Sequence, residues 1–489
     1  MELFLKYPVQ VQDECLSKLV SKAKNTEFGM AHGFASIKNL REFRQQVSIQ
    51  DYSELKPYVD RLLKGEKNLI WPGEVTWFAK SSGTSAGRSK FIPVTKASLE
   101  DCHFNGGMDM LSIYYHNHPD SQLFTGKTLT VGGSNSINRF NEGSFYGDLS
   151  AVLTSNLPRW AEYHRTPNLK VALMGQWEEK IDLMIEQTKN IDVTSITGVP
   201  SWTLVLCKKI LEKTEKSNLR EIWPNLEVFF HGGVSFQPYK ELFRSLIGTN
   251  QMTYMETYNA SEGFFGIQDQ SDSEDLLLML DYGIYYEFVP INEVDSSNAK
   301  VVSLAEVELE KNYALVISTN SGLWRYLIGD TVKFTSKDPF RIQITGRVNS
   351  FINAFGEELI VQNAELAMKR TCSKMNTAIV DYTAAPIFYS GSEKGGHQWL
   401  IEFSENPNNL DEFAAVLDLE LKTLNSDYEA KRQSDILLQM PEVTVAAAGT
   451  FQNWLRSYGK LGGQHKVPRL SNDRKLIDEI LRKSANPIL

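Results

Sequence analysis

The sequence predicts an α/β fold: a large N-terminal domain with β-sheets and surrounding helices, followed by a small α+β C-terminal domain. Three observations carry that expectation. Strand-like and helix-like stretches alternate between Lys127 and Phe230, the pattern of a largely parallel sheet. Several glycine turns fall directly after strands, where open α/β sheets bind their ligands. Beyond Arg347 the pattern changes to short strands around one long helix, which sets the domains at 1–346 and 347–489. A chain of 489 residues is long enough for both.

Residues 10–66 read as short amphipathic helices, with Val11, Cys15, Leu16, Leu19 and Val20 at helical spacing. From Asn68 to Trp77 the pattern turns strand-like, and a Ser/Gly loop follows. Ser98 to Tyr115 reads as helix, and Lys127 to Ser134 as a buried strand ending in a glycine turn. Residues 176–189 read as a helix, Ile191 to Gly198 as a short strand, and Trp202 to Lys213 as another helix. Leu226 to Phe230 is a strand running into His231-Gly232-Gly233. In the C-terminal domain, Ala378 to Tyr382, His397 to Phe403 and Val443 to Ala448 are strand-like, and Leu410 to Leu424 is helical. Asp427 to Arg432 and the turn Gly459 to Gly463 read as solvated surface. Trp324 and Phe351 read as core residues.

The composition is that of an ordinary globular chain, 42% hydrophobic and 23% charged. No run approaches the ~20 apolar residues of a membrane span, and the N-terminus lacks the basic and apolar regions of a secretion signal. Cys15, Cys102, Cys207 and Cys372 are far apart and without metal-ligand spacing, which points to a reducing compartment, the cytoplasm. A formal charge of −9 disfavours nucleic acid as a partner. An anionic ligand must therefore be held by a local cluster of cations and N–H groups.

The most informative stretch is Lys80-Ser81-Ser82-Gly83-Thr84-Ser85-Ala86-Gly87-Arg88-Ser89-Lys90. Its glycines allow tight turning and close approach to a ligand, successive N–H groups can form an anion nest, and Lys90 adds a mobile point charge. This is chemistry for a polyphosphate, although not the Walker loop, in which Lys-Ser/Thr directly follows the second glycine. The alternative is a solvated Ser/Gly loop. Four further stretches carry chemistry. His231-Gly232-Gly233 suits close approach of a flat ring, or is a plain turn. In Tyr254 to Gly263, Tyr258 could cover a base, Asn259-Ala260 could pair with its edge, and Glu262 suits Mg²⁺; the alternative is a surface glutamate at a strand end. Asp330, at a Gly-Asp turn, can accept from both ribose hydroxyls, or is a common turn aspartate. Gly346 to Ser350, followed by Phe355-Gly356-Glu357-Glu358, is a hinge or a polar loop. His116-Asn117-His118 reads as a surface loop and not a metal site.

In their order, these stretches resemble the acyl-adenylating superfamily of acyl-CoA synthetases, peptide-synthetase adenylation domains and luciferases. The chain is more closely similar to the acyl acid amido synthetases, the auxin-responsive Gretchen Hagen family. Three matches carry that likeness: Ser81-Ser82-Gly83-Thr84-Ser85, the N-terminal run with Asn25 to Gly29, Asp51-Tyr52, Pro57-Tyr58, Arg61 and Gly65-Glu66, and Gln464-His465-Lys466-Val467-Pro468-Arg469. The resemblance spans about residues 10–470.

The resemblance implies an adenylate-forming N-terminal domain with a mobile C-terminal cap, and a ligase that uses ATP and Mg²⁺ to join a small carboxylic acid to an amino acid. It implies that Ser81, Ser82, Gly83, Thr84, Ser85 and Lys90 hold the phosphates. Gly232, Gly233, Tyr258, Ala260 and Ser261 would form the adenine slot. Glu262 would hold Mg²⁺, Asp330 the ribose with Tyr326 nearby, and Arg347 the nucleotide at the hinge. Lys466 would reach the α-phosphate and acyl carboxylate. Two positions depart from the pattern: Asn349 stands where the superfamily has Asp or Lys, and Val234 lies in a glycine-rich stretch. The helix Phe104 to Tyr115, the strand end Val131 to Ser134, Met174 and Val199 are expected to line the acyl pocket. An acyl-CoA ligase and a non-catalytic nucleotide sensor remain as alternatives. The acid, the amine and the oligomeric state are left open by the residues.

Overall fold

The computed structural model describes every residue except 85–86, 133–136, 235, 237–238, 250, 272, 295, 297–298, 349–350, 390–394, 434–436, 458–466 and 486–489. At 82–84, 87–89, 177–178, 362, 452 and 485 it describes the backbone alone. The chain divides into two compact units. One comprises Met1–Ser81, Lys90–Phe236 and Lys240–Val348; the other comprises Ser82–Ser89, Gln237–Tyr239 and Asn349–Leu489.

The large unit is built on a sheet that has twelve strands among the described residues. Five of its strands are parallel: Arg165–Thr166, Lys127–Val131, Val193–Gly198, Val228–Gly232 and Thr253–Ala260 lie side by side in that order. The other seven are antiparallel. They run outward from Thr253–Ala260 through Gly263–Ile267, Leu276–Leu278, Phe340–Arg347, Tyr326–Lys337, Asn312–Thr319, Ile284–Pro290 and Val302–Ser303. The expectation of a largely parallel sheet is corrected here. Helices separate the parallel strands, whereas tight turns and short connections join most of the antiparallel ones, and only antiparallel strands can be joined that way. A smaller sheet places Gly87–Val94, Trp77–Thr84, Phe145–Gly147 and Asn138–Arg139 side by side. The stretch from Asn68 to Thr76 is irregular, so strand structure begins only at Trp77.

The helix expected at Ser98–Tyr115 is two helices in series. A π-helical stretch, Ser98–Phe104, runs into the α-helix Asn105–Asn117. His116 and Asn117 are its exposed last residues, so they close a helix and not a loop. The N-terminal helices pack around Trp324, which is fully buried among Phe28, Phe34, Phe43 and Trp71, with its indole N–H donated to the Ile70 carbonyl at 3.0 Å. Phe351, expected in a core, is half-buried.

The smaller unit holds a three-stranded sheet. Ala378–Ile387 pairs antiparallel with Gly396–Glu405, which pairs parallel with Glu442–Val445. Helices Val361–Met375 and Leu410–Leu424 pack with it around Trp399, Phe413 and Leu417. Asp427 to Arg432 is solvated only in part: Glu429 is exposed, but Tyr428 and Arg432 are buried. Arg432 grips buried Asp418 with two N–H groups, at 2.6 and 2.9 Å. Glu357 is likewise buried, accepting from the Phe355 N–H at 2.7 Å and sitting 2.7 Å from His397 Nε2. Among the described residues, no helix is long and apolar enough to cross a membrane.

Candidate functional site

The strands Val228–Gly232 and Thr253–Ala260 run parallel with Gly232 opposite Thr257. A Cβ on Gly232 would stand 2.4 Å from the Thr257 carbonyl oxygen, so no other residue fits there without moving the sheet. Gly233 then turns the chain at φ +83°, a left-handed conformation that glycine adopts at least cost. His231 beside them is buried. Its ring stacks on Phe236 at 4.1 Å, and burial pushes the imidazole down to about 3, so it is neutral.

Thr253–Ala260 returns as Gly263–Ile267 through a two-residue turn, Ser261-Glu262, with Ala260 opposite Gly263. Glu262 therefore stands at the tip of a hairpin, half-buried, and its charge is felt at the phenols of Tyr52, Tyr258 and Tyr326. Asn259, on the same strand, accepts through Oδ1 from Nδ1–H of His103 at 3.1 Å, and His103 comes from the π-helical stretch. His103 is buried; burial pushes its imidazole down to about 4, against the opposing effect of the Asn259 bond.

Asp330 is not a turn residue. It lies within the strand Tyr326–Lys337, just after Gly329 at φ +96°, and faces Arg347 across the sheet. Its Oδ1 accepts from Arg347 Nε at 2.8 Å and its Oδ2 from the Tyr258 hydroxyl at 2.6 Å. Burial, and then the neighbouring Asp330 charge, hold the Tyr258 phenol well above its ordinary range. Four residues before Asp330, the Tyr326 hydroxyl accepts from Lys90 Nζ at 3.2 Å. The same ammonium lies 5.9 Å from the Tyr326 ring and 5.7 Å from that of Tyr52. Lys90 is thus lodged between two tyrosines.

Lys90, Tyr258, Glu262, Tyr326, Asp330 and Arg347 form one cluster in the large unit, linked by the contacts above. Ser81 is half-buried in the strand Trp77–Thr84, and Ser82 to Thr84 continue that strand, so the expected loop is in large part a pair of strands. Ser85, Asn349 and Lys466 lie outside the described residues. Ala260 and Ser261 are half-buried at the hairpin end, and Val234 is buried. Of the positions expected to line the acyl pocket, Val131 is buried, and Phe104, Met174 and Val199 are half-buried.

The N-terminal run contributes a scaffold. Arg61 joins Glu27 and Glu66 at 2.7 Å each, and Phe28 meets the Tyr58 ring edge-on at 5.7 Å. Two residues near the cluster were given no part in the site by the sequence: Tyr52, which entered only through the Asp51-Tyr52 match, and His103. The spacing Asp51-Tyr52-Ser53-Glu54 is a capping-box signature that marks Tyr52 as a helix start. No local signal marks His103.

No group of three or more His, Cys, Asp or Glu suited to a metal ion occurs among the described residues. Mg²⁺ commonly takes only one or two carboxylates and fills its shell with substrate phosphates and water. A single Glu262 is therefore a fitting partner for magnesium that arrives with a nucleotide.

Comparison with known proteins gives a consistent picture. The GH3 family N-terminal domain profile matches residues 1–252, the GH3 family central domain 277–347 and the GH3 family C-terminal domain 362–475. The chain is 25% identical to the indole-3-acetic acid-amido synthetase GH3.3 of Arabidopsis thaliana, over 94% of this chain and 89% of that one. The solved GH3.15 acyl acid amido synthetase shares the fold at a TM-score of 0.61 and 18% identity, covering 98% of this chain and 94% of its own. A 2-hydroxyisobutyryl-CoA ligase, solved in complex with 2-HIB-AMP and CoA, shares it at 0.60 and 14% identity, over 97% and 92% of the two chains.

Proposed function

The chain belongs to the GH3 family, and on that premise we propose that it is an ATP-dependent acyl acid amido synthetase. It adenylates a small carboxylic acid and passes the acyl group to an amino acid. The observation that carries this reading is the convergence of Lys90, Glu262, Tyr326, Asp330 and Arg347 on one cluster beside the strand ends of the large unit.

The chemistry suits those residues. A carboxylate and the α-phosphorus of ATP both lie in negative surroundings, so the first step needs charge compensation and alignment more than proton transfer. Lys90 and the Ser81 to Thr84 backbone would meet the phosphates, and Glu262 would hold the magnesium that comes with the nucleotide and offsets their charge. The carboxylate oxygen bonds to the α-phosphorus as the bond to the β-phosphate oxygen breaks, and pyrophosphate leaves. Asp330 takes the ribose. Each of its oxygens already accepts one hydrogen bond, and a carboxylate oxygen has room for a second. The adenine lies along Gly232, Gly233 and the Tyr258 to Ser261 strip. In the second step the amine nitrogen bonds to the acyl carbon, AMP leaves, and the amine loses its extra proton.

The residues beyond Val348 would act as the cap that brings Lys466 to the α-phosphate. The free cysteines suit a reducing compartment, the cytoplasm.

A panel of aryl and alkyl carboxylates, scored by pyrophosphate release with and without amino acids, tests the reading. Carboxylate-dependent release is expected with at least one acid. Nucleotide binding without release across the whole panel would leave the sensor reading in its place.

A further inference from the structure

We infer that Tyr52 is a positioning residue for Lys90, fixing its ammonium for the phosphates that leave; the inference rests on the role proposed above for Lys90. Tyr52 opens the helix Tyr52–Leu63, whose start is locked by Asp51. Asp51 Oδ1 accepts from the Ser53 and Glu54 N–H groups at 2.6 and 3.3 Å, and Glu54 accepts from the Asp51 N–H at 3.0 Å. Burial works against the Asp51 charge, but the Ser53 hydroxyl, the Ser53 and Glu54 N–H groups and the Lys90 charge hold its carboxyl below the usual range.

Tyr52 then reaches the strand that carries Lys90. Its hydroxyl accepts from the Phe91 N–H at 2.8 Å and lies 3.3 Å from the Phe91 carbonyl, so it grips the backbone one residue past Lys90. Burial pushes the phenol up to about 12, which keeps it neutral and able to make both contacts. Its ring lies 5.7 Å from the Lys90 ammonium, within cation–π range.

The residue before the cap ties the same corner to the other wall of the site. The Gln50 N–H donates to the Arg325 carbonyl and the Leu327 N–H to the Gln50 carbonyl, each at 2.9 Å. Gln50 to Tyr52 therefore joins the strand bearing Tyr326 and Asp330 to the strand bearing Lys90. A lysine held by two rings and a hydroxyl before substrate arrives loses less freedom on binding, and that is the physical content of preorganisation.

Calorimetric titration of Tyr52→Leu, Tyr52→Phe and Lys90→Ala with magnesium-ATP and with AMP, in the absence of acid, tests this. Tyr52→Leu should weaken ATP by about tenfold and leave AMP within about twofold, because AMP lacks the phosphates Lys90 meets. Tyr52→Phe keeps the ring and loses only the hydroxyl, so most of the ATP affinity should return, with an ATP-selective loss of about threefold. Lys90→Ala should show the same selectivity.

Equal weakening of ATP and AMP by the Tyr52 variants, or no weakening, would make Tyr52 a packing residue only, provided Lys90→Ala stays ATP-selective. An unselective Lys90→Ala would instead remove the phosphate role of Lys90 and the inference with it. If Tyr52→Leu fails to fold, Tyr52→Phe decides on the same criterion.

Discussion

At Asp330 two neighbours compete for the carboxylate that the nucleotide would use. Arg347 and Tyr258 each occupy one oxygen. Asp330→Ala should weaken ATP binding by tenfold or more, since a hydrogen bond to a charged group contributes about 1.5–3 kcal/mol. Tyr258→Phe removes one neighbour and not the acceptor, so its effect should be smaller; titration of ATP against the two variants checks the order. His103 offers a pH test. Its buried imidazole is held near 4, against an ordinary 6.5. The unfolded chain binds that proton first, so stability present above pH 6.5 is lost as pH falls towards 4. Linkage puts the loss at pH 5 at about 2 kcal/mol. The unfolding midpoint of His103→Gln should fall less between pH 7 and pH 5 than that of the parent. The sequence showed Asp330 and Glu262 as charges beside glycines and Lys90 at the end of the Ser/Gly stretch, and the structure gathers all three. It could not show Tyr52 or His103 as neighbours of the site. Their partners lie 39 and 156 residues away, and no local pattern encodes such a pairing.

At the scale of elements, the parallel part of the main sheet was legible because helices with their own period separate its strands. The antiparallel part was missed for a physical reason. Ile284–Pro290 is buried at every position, so it lacks the polar–apolar alternation that marks a half-exposed strand, and the largely parallel reading was carried over from Lys127 to Phe230. Asp427 to Arg432 misled in the opposite way, because a charged run reads as surface until Asp418 is seen to meet Arg432. Buried charges of this kind also brace the strand that carries Tyr326 and Asp330. Arg325 donates from Nε to Glu287 at 2.8 Å and from Nη1 to the Val47 carbonyl at 2.7 Å, and Arg44 donates to the same glutamate at 2.7 Å. Glu287 and Arg325 are almost wholly buried. Arg325→Met strips one partner from a buried carboxylate, which costs about 3–5 kcal/mol. A thermal melt should show the midpoint several degrees lower. An unchanged midpoint would mean that Arg44 alone satisfies Glu287.

For the whole molecule, a net charge of −9 has to coexist with a polyanionic substrate, and the proposed solution is local: Lys90 and Arg347 in the large unit, Lys466 in the cap. Three residues after Lys466 the chain is firmly held within its own unit. Arg469 pairs with Glu365 at 2.6 Å and with Asp381, and its carbonyl accepts from the Ala384 N–H at 2.8 Å. If Lys466 meets the charge that develops at the α-phosphate, Lys466→Ala should slow adenylation by roughly 10²–10³, the usual effect of losing one such stabiliser, and leave the melting midpoint in place. An unchanged adenylation rate would shift the role to Lys460. The second half-reaction divides the family reading from its nearest rival. An amine attacks as the free base, so amide formation should quicken as pH rises towards the pKa of the amino group, whereas a thiol acceptor would follow thiolate. With coenzyme A and amino acids supplied together, mass spectrometry should find acyl-amino acid as the product. Acyl-CoA as the dominant product, with no amide, would make the chain a thioester-forming ligase. The adenylation site would stand unchanged, because both acceptors attack the same acyl-adenylate.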